Sequence, residues 1–284
     1  MKLFFNLTLI FFFTMTNFAQ TRDTIYIWPN KVPGQIAEKK EAVKSLNKSG
    51  NVLRLAEVTN PAMDVFEPKA SNNNGVGIIV CPGGGYGILA INLEGYEIAA
   101  WLNELGFTAY VLQYRVPNKR KEALYDLQRA IRVIRSKTAK ASLITRKLGV
   151  LGFSAGGSLS ARASTRFDEE TYAETDAIDS ISSRPDFAML IYPAYLDEGE
   201  NRKLTPELLV DNKTPPMFIF ATADDQYGNS ALVMATALRD HKVPVELHIL
   251  PKGGHGYGIR SGNIAAETWP SLAEKWLQKE ILDK

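Results

Sequence analysis

From Gly75 onward, the chain alternates between short apolar runs and longer segments in which apolar residues recur every three or four positions. The runs have the length of β-strands, and the periodic segments have the spacing of amphipathic helices. In the first such segment, Ile98, Trp101 and Leu105 share one face, and Gly106 provides a stop. The pattern predicts strands over 75–81, 107–114, 147–153, 186–192, 217–222 and 245–250, and helices over 94–105, 123–134, 155–164, 230–240 and 265–282.

The predicted strands are nearly continuous apolar runs rather than alternations of apolar and polar residues. Strands of this kind are buried on both faces, as in a parallel sheet that is covered by helices. Because strand and helix alternate, we predict an α/β fold with a mostly parallel central sheet and helices on both faces. The chain has 284 residues, so we assign residues 20–284 to a single domain of this type.

Two regions depart from this rhythm. Residues 23–74 are mixed and rich in turn formers, with short strands predicted near 25–28 and 51–55. Residues 166–186 follow a predicted helix and are strongly acidic. This acidic stretch is interpreted either as a solvated insertion or as a small lid over a functional site.

Composition excludes some classes of partner. Hydrophobic residues make up 45% of the sequence and charged residues 23%, as in an ordinary globular protein with a substantial core. The formal net charge is +2, and lysine and arginine are spread along the chain, which gives no basic patch for nucleic acid or an anionic membrane. Cys81 is the only cysteine, so no internal disulfide can form, and its place at the end of an apolar run predicts a small buried side chain.

The first residues have the pattern of a secretory signal peptide. Lys2 supplies the positive start, residues 3–13 form the apolar run, and Ala19 is a small residue before a cut at Gln20. A buried helix or a short membrane anchor is the alternative, but the apolar run is short for a membrane span. We therefore predict that residues 1–19 are removed and that the mature protein is secreted or periplasmic, with no membrane attachment.

The strongest chemical signal is Gly152-Phe153-Ser154-Ala155-Gly156, between a predicted strand and a helix of small residues. A nucleophile elbow requires this strand–turn–helix context. The tight turn needs glycine where a Cβ would clash, and it holds Ser154 in a strained conformation with its hydroxyl exposed. The N-terminus of the following helix favours negative charge. The motif therefore predicts that Ser154 is a nucleophile rather than a serine in an ordinary turn.

A neutral serine hydroxyl needs a general base, and the chain contains three histidines. His241 falls at a helix end, where exposure is expected, and His248 falls inside a strand that holds it in place. His255 lies in a glycine-rich loop directly after the last predicted strand. Because open α/β sheets place their sites beyond the carboxyl ends of the strands, we predict that His255 is the base.

The third member of such a site is an acid that orients the imidazole and stabilises its protonated form. Asp224 and Asp225 directly follow the strand predicted at 217–222 and offer two carboxylates. One of them is expected to meet His255, and the other to cap a helix or face solvent.

A serine that attacks a carbonyl group also needs backbone N–H groups aimed at the negative oxygen of the intermediate. Ala155, the residue after the serine, supplies one. The glycine-rich loop at 82–87 follows the first predicted strand and can supply another, because glycine lets the backbone approach a ligand closely. The alternative for this loop is a flexible connection without a chemical role.

These motifs together resemble the esterase/lipase branch of the α/β-hydrolases, in which serine, acid and histidine follow one another in this order. More narrowly, they resemble bacterial carbohydrate acetyl esterases, often named acetylxylan esterases or xylanase-like esterases, and the resemblance covers roughly residues 24–282. The segments that carry it are IYIWPNKVPG at 25–34, PGGGYG at 82–87, GFSAGG at 152–157, ADDQ at 223–226 and GGHGYG at 253–258.

The resemblance implies an α/β-hydrolase fold and a role for each site residue. Ser154 would be the nucleophile, His255 the base and Asp225, rather than Asp224, the acid. Carried over in the same way, the amide donors are Gly84, Gly85 and Ala155. Pro82 stands where related lipases carry a histidine, so the support of this loop differs from theirs.

The resemblance further implies a serine carboxylesterase that removes acetyl groups from plant or algal polysaccharides or oligosaccharides, without a metal or cofactor. The aromatic residues offered to the sugar are Tyr86, Tyr227 and Tyr257, although residues of this kind more often serve packing. A general short-chain esterase and a serine peptidase are alternatives that use the same residues. A non-catalytic binding protein on the same fold is a further alternative, and such a protein usually lacks one of the three site residues.

Overall fold

The computed structural model describes residues 23–139 and 145–283, and the predicted signal peptide at 1–19 lies outside these ranges. The strands are β1 (Asp23–Tyr26), β2 (Val43–Lys44), β3 (Arg54–Ala56), β4 (Ala62–Phe66), β5 (Val76–Cys81), β6 (Leu89–Ala90), β7 (Thr108–Gln113), β8 (Lys147–Phe153), β9 (Phe187–Ile191), β10 (Met217–Thr222) and β11 (Val245–Leu250). The α-helices are α1 (Glu97–Glu104), α2 (Arg120–Ala139), α3 (Ala155–Thr165), α4 (Gly228–Asp240) and α5 (Ile264–Trp276). The π-helical turns Asn92–Tyr96 and Leu277–Leu282 precede α1 and follow α5.

The main sheet has the strand order β1-β4-β7-β5-β8-β9-β10-β11. Neighbouring strands from β7 to β11 are parallel, and β4 runs antiparallel to both of its neighbours. Helices α1 and α5 meet through the rings of Trp101 and Trp269, whose centroids are 5.0 Å apart, while α2 packs on α3. The predicted α/β fold with a mostly parallel sheet between helices is confirmed.

The six strands predicted from residue 75 onward are all present, with ends that agree within one residue. Strands β5, β9 and β10 are buried along their whole length. Each large aliphatic side chain buried in this way contributes about 1.5–3 kcal/mol to the free energy of folding. Unbroken apolar runs therefore predicted the central strands well, because the side chains of these strands serve packing alone.

Strand β4 is absent from the predicted elements, because residues 23–74 were expected to be mostly turns. Asp64 interrupts the apolar run of this strand, yet it is buried. Its carboxylate accepts hydrogen bonds from Thr24 Oγ1 at 2.9 Å, Tyr96 Oη at 2.8 Å and Gln113 Nε2 at 2.9 Å. These donors come from other elements, and they satisfy a charge that would otherwise oppose burial.

The short strands predicted near 25–28 and 51–55 form at slightly shifted positions, as β1 and β3. Strand β3 does not join the main sheet. It pairs antiparallel with β2 on one side and with β6 on the other, in a second sheet of three strands. Strand β6 follows the glycine-rich loop, so this small sheet reaches the carboxyl end of β5.

The acidic stretch 166–186 is a packed segment rather than a solvated insertion. Arg129 of α2 donates hydrogen bonds to Asp176 at 2.6 Å and to Asp179 at 2.8 Å, and its guanidinium lies over the ring of Trp28. Asp179 is itself buried. Although burial opposes it, hydrogen bonds from Tyr172, Thr175 and Arg129 lower the pKa of Asp179 to about 2. Asp176 and Asp179 therefore attach the segment to α2, while Glu170 and Glu174 are exposed.

Candidate active site

Ser154 stands in the turn between β8 and α3, with backbone dihedral angles of φ 53° and ψ −117°. This conformation is strained for a residue with a Cβ atom. The turn can adopt this conformation because the positions two residues before and two residues after Ser154 are both glycine. A Cβ on Gly152 would overlap the carbonyl oxygen of Gly156, and a Cβ on Gly156 would overlap the carbonyl oxygen of Cys81. The turn thus requires the spacing Gly-x-Ser-x-Gly.

The structure brings Ser154, His255 and Asp225 together in one hydrogen-bonded row. His255 Nε2 lies 2.7 Å from Ser154 Oγ, and His255 Nδ1 lies 2.7 Å from Asp225 Oδ2. The three residues follow the carboxyl ends of β8, β11 and β10, which meet at one edge of the sheet. The side chain of Asp225 is 1% exposed and that of His255 is 25% exposed, so the row runs from the interior to the surface.

The two neighbouring aspartates have different partners. Asp225 meets the imidazole with one oxygen and accepts a hydrogen bond from the N–H of Tyr227 at 2.9 Å with the other. Asp224 is exposed and accepts hydrogen bonds from the N–H groups of Gly253 and Gly254, at 3.3 and 2.9 Å. The hydrogen bond from Gly254 is the main reason that the pKa of Asp224 is lowered. Asp224 therefore fastens the histidine loop, and Asp225 orients the ring.

The row is suited to proton transfer from the serine hydroxyl. A buried carboxylate that accepts the Nδ1–H of an imidazole fixes the tautomer in which Nε2 is free to take a proton. The short distance between Nε2 and Ser154 Oγ allows that transfer without any movement of the loops. The other two histidines lie elsewhere. His241 is exposed at the end of α4, and His248 contacts Glu246 within β11.

The glycine-rich loop after β5 presents its amides to the same place. The carbonyl of Gly83 accepts from the N–H of Ala90, and the carbonyl of Gly84 accepts from the N–H groups of Gly87 and Ile88. Because a peptide group is planar, a bound carbonyl also fixes the direction of the next N–H. The N–H groups of Gly84 and of the glycine after it are held in this way.

Gly84, Gly85 and Ala155 are the residues that were predicted to donate amides. Along residues 23–139 and 145–283, none of their three N–H groups donates a hydrogen bond within the protein. Gly84 and Gly85 line the cavity beside Ser154, and Ala155 is the first residue of α3. A helix N-terminus and two free amides around one hydroxyl form a site for a negatively charged oxygen.

The cavity beside Ser154 has a volume of about 410 Å³. Strands β3 and β6 of the small sheet contribute to one wall. The glycine-rich loop, the π-helical turn before α1, the serine elbow and the loops after β9, β10 and β11 form the rest. The lining residues are Val52, Arg54, Gly84, Gly85, Ile88, Ala90, Leu93, Glu94, Ser154, Tyr195, Gln226, Tyr227, His255 and Gly256. No residue of the acidic stretch 166–186 is among them, so this stretch does not cover the site in this structure.

Two of the three tyrosines expected to meet a substrate are packing residues instead, which corrects that expectation. Tyr86 is 3% exposed and stacks near Tyr114, with the guanidinium of Arg120 above its ring at 5.3 Å. Tyr257 is 7% exposed and packs against Tyr192 at 4.4 Å between ring centroids. Both rings therefore belong to the packed interior rather than to the surface of the cavity.

Tyr227 does line the cavity, and it does so together with Tyr195, which was not predicted. The rings of Tyr227 and Tyr195 are 5.4 Å apart, and the ring of Tyr227 lies 5.0 Å from that of His255. Tyr195 follows the carboxyl end of β9 by four residues. That position was the available signal, because side chains after strand ends converge at this edge.

Two hydrogen bonds hold the glycine-rich loop, in which Pro82 stands at the position where related lipases carry a histidine. Tyr114 Oη donates to the carbonyl of Pro82 at 2.6 Å, and the N–H of Gly83 donates to Glu94 Oε2 at 2.7 Å. Glu94 was predicted only as the start of a helix. It lies in the π-helical turn before α1, which brings its carboxyl group inward.

Among the described residues, no group of three acidic, histidine or cysteine side chains is placed to hold a metal ion.

Comparison with protein families places part of the chain directly. The BD-FAE family model matches residues 63–189, a range that includes the glycine-rich loop and the serine elbow. An acetylxylan esterase of Xylanibacter ruminicola is 29% identical over 233 residues, which are 73% of this chain and 46% of that protein. The chain spans less than half the length of the curated relatives it matches.

Solved structures match over nearly the whole chain. The crystal structure of an acetyl ester-xyloside bifunctional hydrolase from Caldicellulosiruptor lactoaceticus is 33% identical, with a TM-score of 0.72 over 90% of this chain and 95% of that one. MGS-M1, an α/β hydrolase enzyme from a Medee basin deep-sea metagenome library, is 26% identical, with a TM-score of 0.62 over 86% of this chain and 98% of that one. The likeness therefore covers most of the chain rather than residues 63–189 alone.

Proposed function

Because this chain belongs to the esterase/lipase branch of the α/β-hydrolase superfamily, we propose that it is a serine carboxylesterase. The observation that carries the proposal is the hydrogen-bonded row of Ser154, His255 and Asp225 beside a cavity. The free amides at the same cavity add to it, because they give a place for the charge that develops when an ester carbonyl is attacked.

The reaction follows from the geometry. Ser154 Oγ attacks the ester carbonyl while its proton passes to His255 Nε2, and Asp225 stabilises the imidazolium. The N–H groups of Ala155 and of Gly84 or Gly85 hold the oxyanion. His255 then gives the proton to the departing alcohol, which leaves an acyl group on Ser154. A water molecule, deprotonated by His255, hydrolyses this acyl-enzyme and returns the serine.

The proposed substrate is an acetylated plant or algal polysaccharide, or an oligosaccharide derived from it. One similar protein is named an acetylxylan esterase, and another an acetyl ester-xyloside bifunctional hydrolase. The cavity fits such a substrate, because Tyr195 and Tyr227 offer aromatic faces next to the serine, on which a sugar ring can stack. Arg54 on the small sheet and Gln226 in the loop after β10 carry polar groups that can hydrogen-bond to sugar hydroxyls.

The test is the replacement of Ser154 by alanine. Wild-type protein is expected to release p-nitrophenol from p-nitrophenyl acetate, and Ser154→Ala to lower kcat by about 10⁶-fold. Ser180→Ala is the matched control, because Ser180 is exposed and bonds only to the carbonyl of Ala177 among the described contacts. Retention of most of the activity in Ser154→Ala would refute the assignment.

Substrate class is tested separately by acetate release from a panel of acetylated polysaccharides, with feruloylated substrates and short peptides as contrasts. Preference for acetylated polymers supports the proposal, whereas equal rates on all short esters favour a general short-chain esterase. Labelling of Ser154 by a fluorophosphonate probe separates an enzyme from a binding protein that has the same fold. A binding protein would bind acetylated sugar without reacting with the probe.

We also propose that the protein is exported, with residues 1–19 as its signal peptide. The support comes from the sequence pattern described above. Along the described part of the chain, the structure has no helix with the length and hydropathy of a membrane span. Expression of the full chain, followed by N-terminal sequencing of the exported product, tests this directly, since the expected new N-terminus is Gln20.

A further inference from the structure

Glu94 is a buried carboxyl group at the edge of the site, and the reaction described above does not use it. Glu94 is 4% exposed, and it lines the cavity beside Ser154. Burial raises the pKa of Glu94 above its ordinary value. A carboxyl group in such a place is costly unless donors satisfy its oxygens, so its partners show what it can do.

Both oxygens of Glu94 accept hydrogen bonds, and the two donors lead to opposite sides of the site. Oε2 accepts from the N–H of Gly83, in the glycine-rich loop, at 2.7 Å. Oε1 accepts from Tyr192 Oη at 2.9 Å, and this hydroxyl in turn accepts from the N–H of Gly258 at 3.0 Å. Gly258 lies in the loop that carries His255. One carboxyl group thus joins the loop of the amide donors to the loop of the base.

The bond to Gly83 acts close to the reacting atoms. Tyr114 Oη holds the carbonyl side of the Pro82–Gly83 peptide, and Glu94 holds its N–H side, so the plane of this peptide is fixed from both ends. A Cβ on Gly83 would lie 2.6 Å from Glu94 Oε2 and 2.9 Å from the Cβ of Ser154. Gly83 is therefore packed closely between the carboxyl group of Glu94 and the side chain of Ser154.

We propose that Glu94 is a positioning residue for ester hydrolysis, which aims the amides of Gly84 and Gly85 at the oxyanion and keeps the glycine-rich loop in register with the histidine loop. This inference rests on the proposed function. Glu94 does not exchange a proton with the substrate. It acts through Gly83 and Tyr192, whose positions decide where the amides and the imidazole stand.

The test compares Glu94→Met with Glu94→Gln on p-nitrophenyl acetate, with active sites counted by the p-nitrophenol released on complete reaction with diethyl p-nitrophenyl phosphate. Methionine has the length of glutamate but no acceptor oxygen. Because misplacement of about 1 Å can cost about 10²-fold, we expect Glu94→Met to lower kcat per active site by about 10²-fold, with KM changed by less than about threefold. Glutamine keeps an acceptor oxygen for Gly83, so Glu94→Gln is expected to restore kcat to within about tenfold of wild type.

Two further variants separate positioning from general support of the fold. Tyr192→Phe removes only the hydroxyl between Glu94 and Gly258, and we expect a fall in kcat smaller than that of Glu94→Met. Glu97→Gln is the matched control, because Glu97 lies three residues further along and pairs with Arg260 outside the cavity. We expect its thermal stability to fall slightly with the lost ion pair, and its kcat per active site to stay at the wild-type value.

The outcomes are distinct. If wild-type protein hydrolyses the ester and Glu94→Met matches it in kcat per active site, the inference about Glu94 is wrong while the proposed function stands. The same holds if the loss in Glu94→Met shows only as fewer active sites, or if Glu94→Gln is as slow as Glu94→Met. Where Glu94→Met does not fold, Tyr192→Phe decides, and an unchanged kcat overturns the inference. If wild-type protein releases no p-nitrophenol, the proposed function itself fails.

Discussion

Asp225 and Asp179 are two buried carboxylates in the same chain, with side chains 1% and 2% exposed, yet they serve different ends. Asp225 meets an imidazole, and Asp179 meets the guanidinium of Arg129. An imidazole gains and loses a proton near neutral pH, whereas a guanidinium keeps its charge. Burial alone therefore does not mark a reactive acid, and the chemistry of the partner does.

The surroundings of the two carboxylates sharpen this contrast. Asp179 is enclosed by donors, because Tyr172 Oη binds one oxygen and the N–H and Oγ1 of Thr175 bind the other. Neither Asp179 nor Arg129 lines the cavity beside Ser154. Asp225 uses its second oxygen on the N–H of Tyr227 and leaves the far side of His255 facing Ser154. The first arrangement is closed and holds a segment in place, while the second opens onto the place where a substrate can bind.

The largest effect on this comparison is expected from Asp225→Asn. An amide at this position can present its NH₂ group to Nδ1, which favours the tautomer that protonates Nε2 and blocks proton transfer from Ser154. We expect kcat on p-nitrophenyl acetate to fall by about 10⁴-fold. Circular dichroism and thermal unfolding are expected to stay close to wild type, because the amide keeps the size of the side chain.

Asp224→Asn is the matched control for this change. Its oxygen can still accept from the N–H of Gly254, so kcat is expected to stay within about tenfold of wild type. If Asp224→Asn lost activity as strongly as Asp225→Asn, the division of roles between the two aspartates would be wrong.

The serine elbow and the central strands could be predicted because the sequence carries their signal directly. Gly152 is required by the carbonyl of Gly156 within the same turn, and Gly156 by the carbonyl of Cys81 at the end of the adjacent strand β5, so the elbow leaves the pattern Gly-x-Ser-x-Gly in the sequence. The apolar runs of the parallel strands likewise carry their own signal. The histidine and the aspartates could be placed near Ser154 because each follows a strand end, and strand ends of a parallel sheet meet at one edge.

Other features depend on distant residues, and sequence patterns did not reach them. The burial of Asp64 in β4 depends on Thr24, Tyr96 and Gln113, which lie 40, 32 and 49 residues away from it along the chain. The inward turn of Glu94 depends in the same way on Tyr192, 98 residues further along. A polar residue satisfied by remote donors looks exposed in the sequence, although it is buried in the fold.

The next largest effect is on stability, and it concerns Arg129, the partner of Asp179. Arg129→Met leaves the carboxylate of Asp179 buried without its charged partner, so we expect the free energy of unfolding to fall by about 3–5 kcal/mol. Equilibrium unfolding in urea measures this change. The rate per folded molecule is expected to be unchanged, because Arg129 and its partners do not line the cavity beside Ser154.

Arg135→Met, on the same helix, provides the contrast. Arg135 pairs with Asp186 at 3.3 Å, and both side chains are partly exposed, so the expected loss is at most about 1 kcal/mol. A loss of activity per folded molecule in Arg129→Met would show that the acidic stretch communicates with the site. The contrast between a closed and an open carboxylate would then fail.

The smallest expected effect lies at the open side, on the aromatic wall of the cavity. Tyr227→Ala removes a ring beside His255 but leaves the backbone N–H that binds Asp225. If a sugar ring stacks on Tyr227, loss of about 0.5–1.5 kcal/mol should raise KM about two- to tenfold for acetylated xylo-oligosaccharides. KM for p-nitrophenyl acetate, which has no sugar, should change less, and Tyr227→Phe should keep the wild-type KM for both. Equal increases in KM for the two substrates would indicate that the ring of Tyr227 supports His255 and does not bind the sugar.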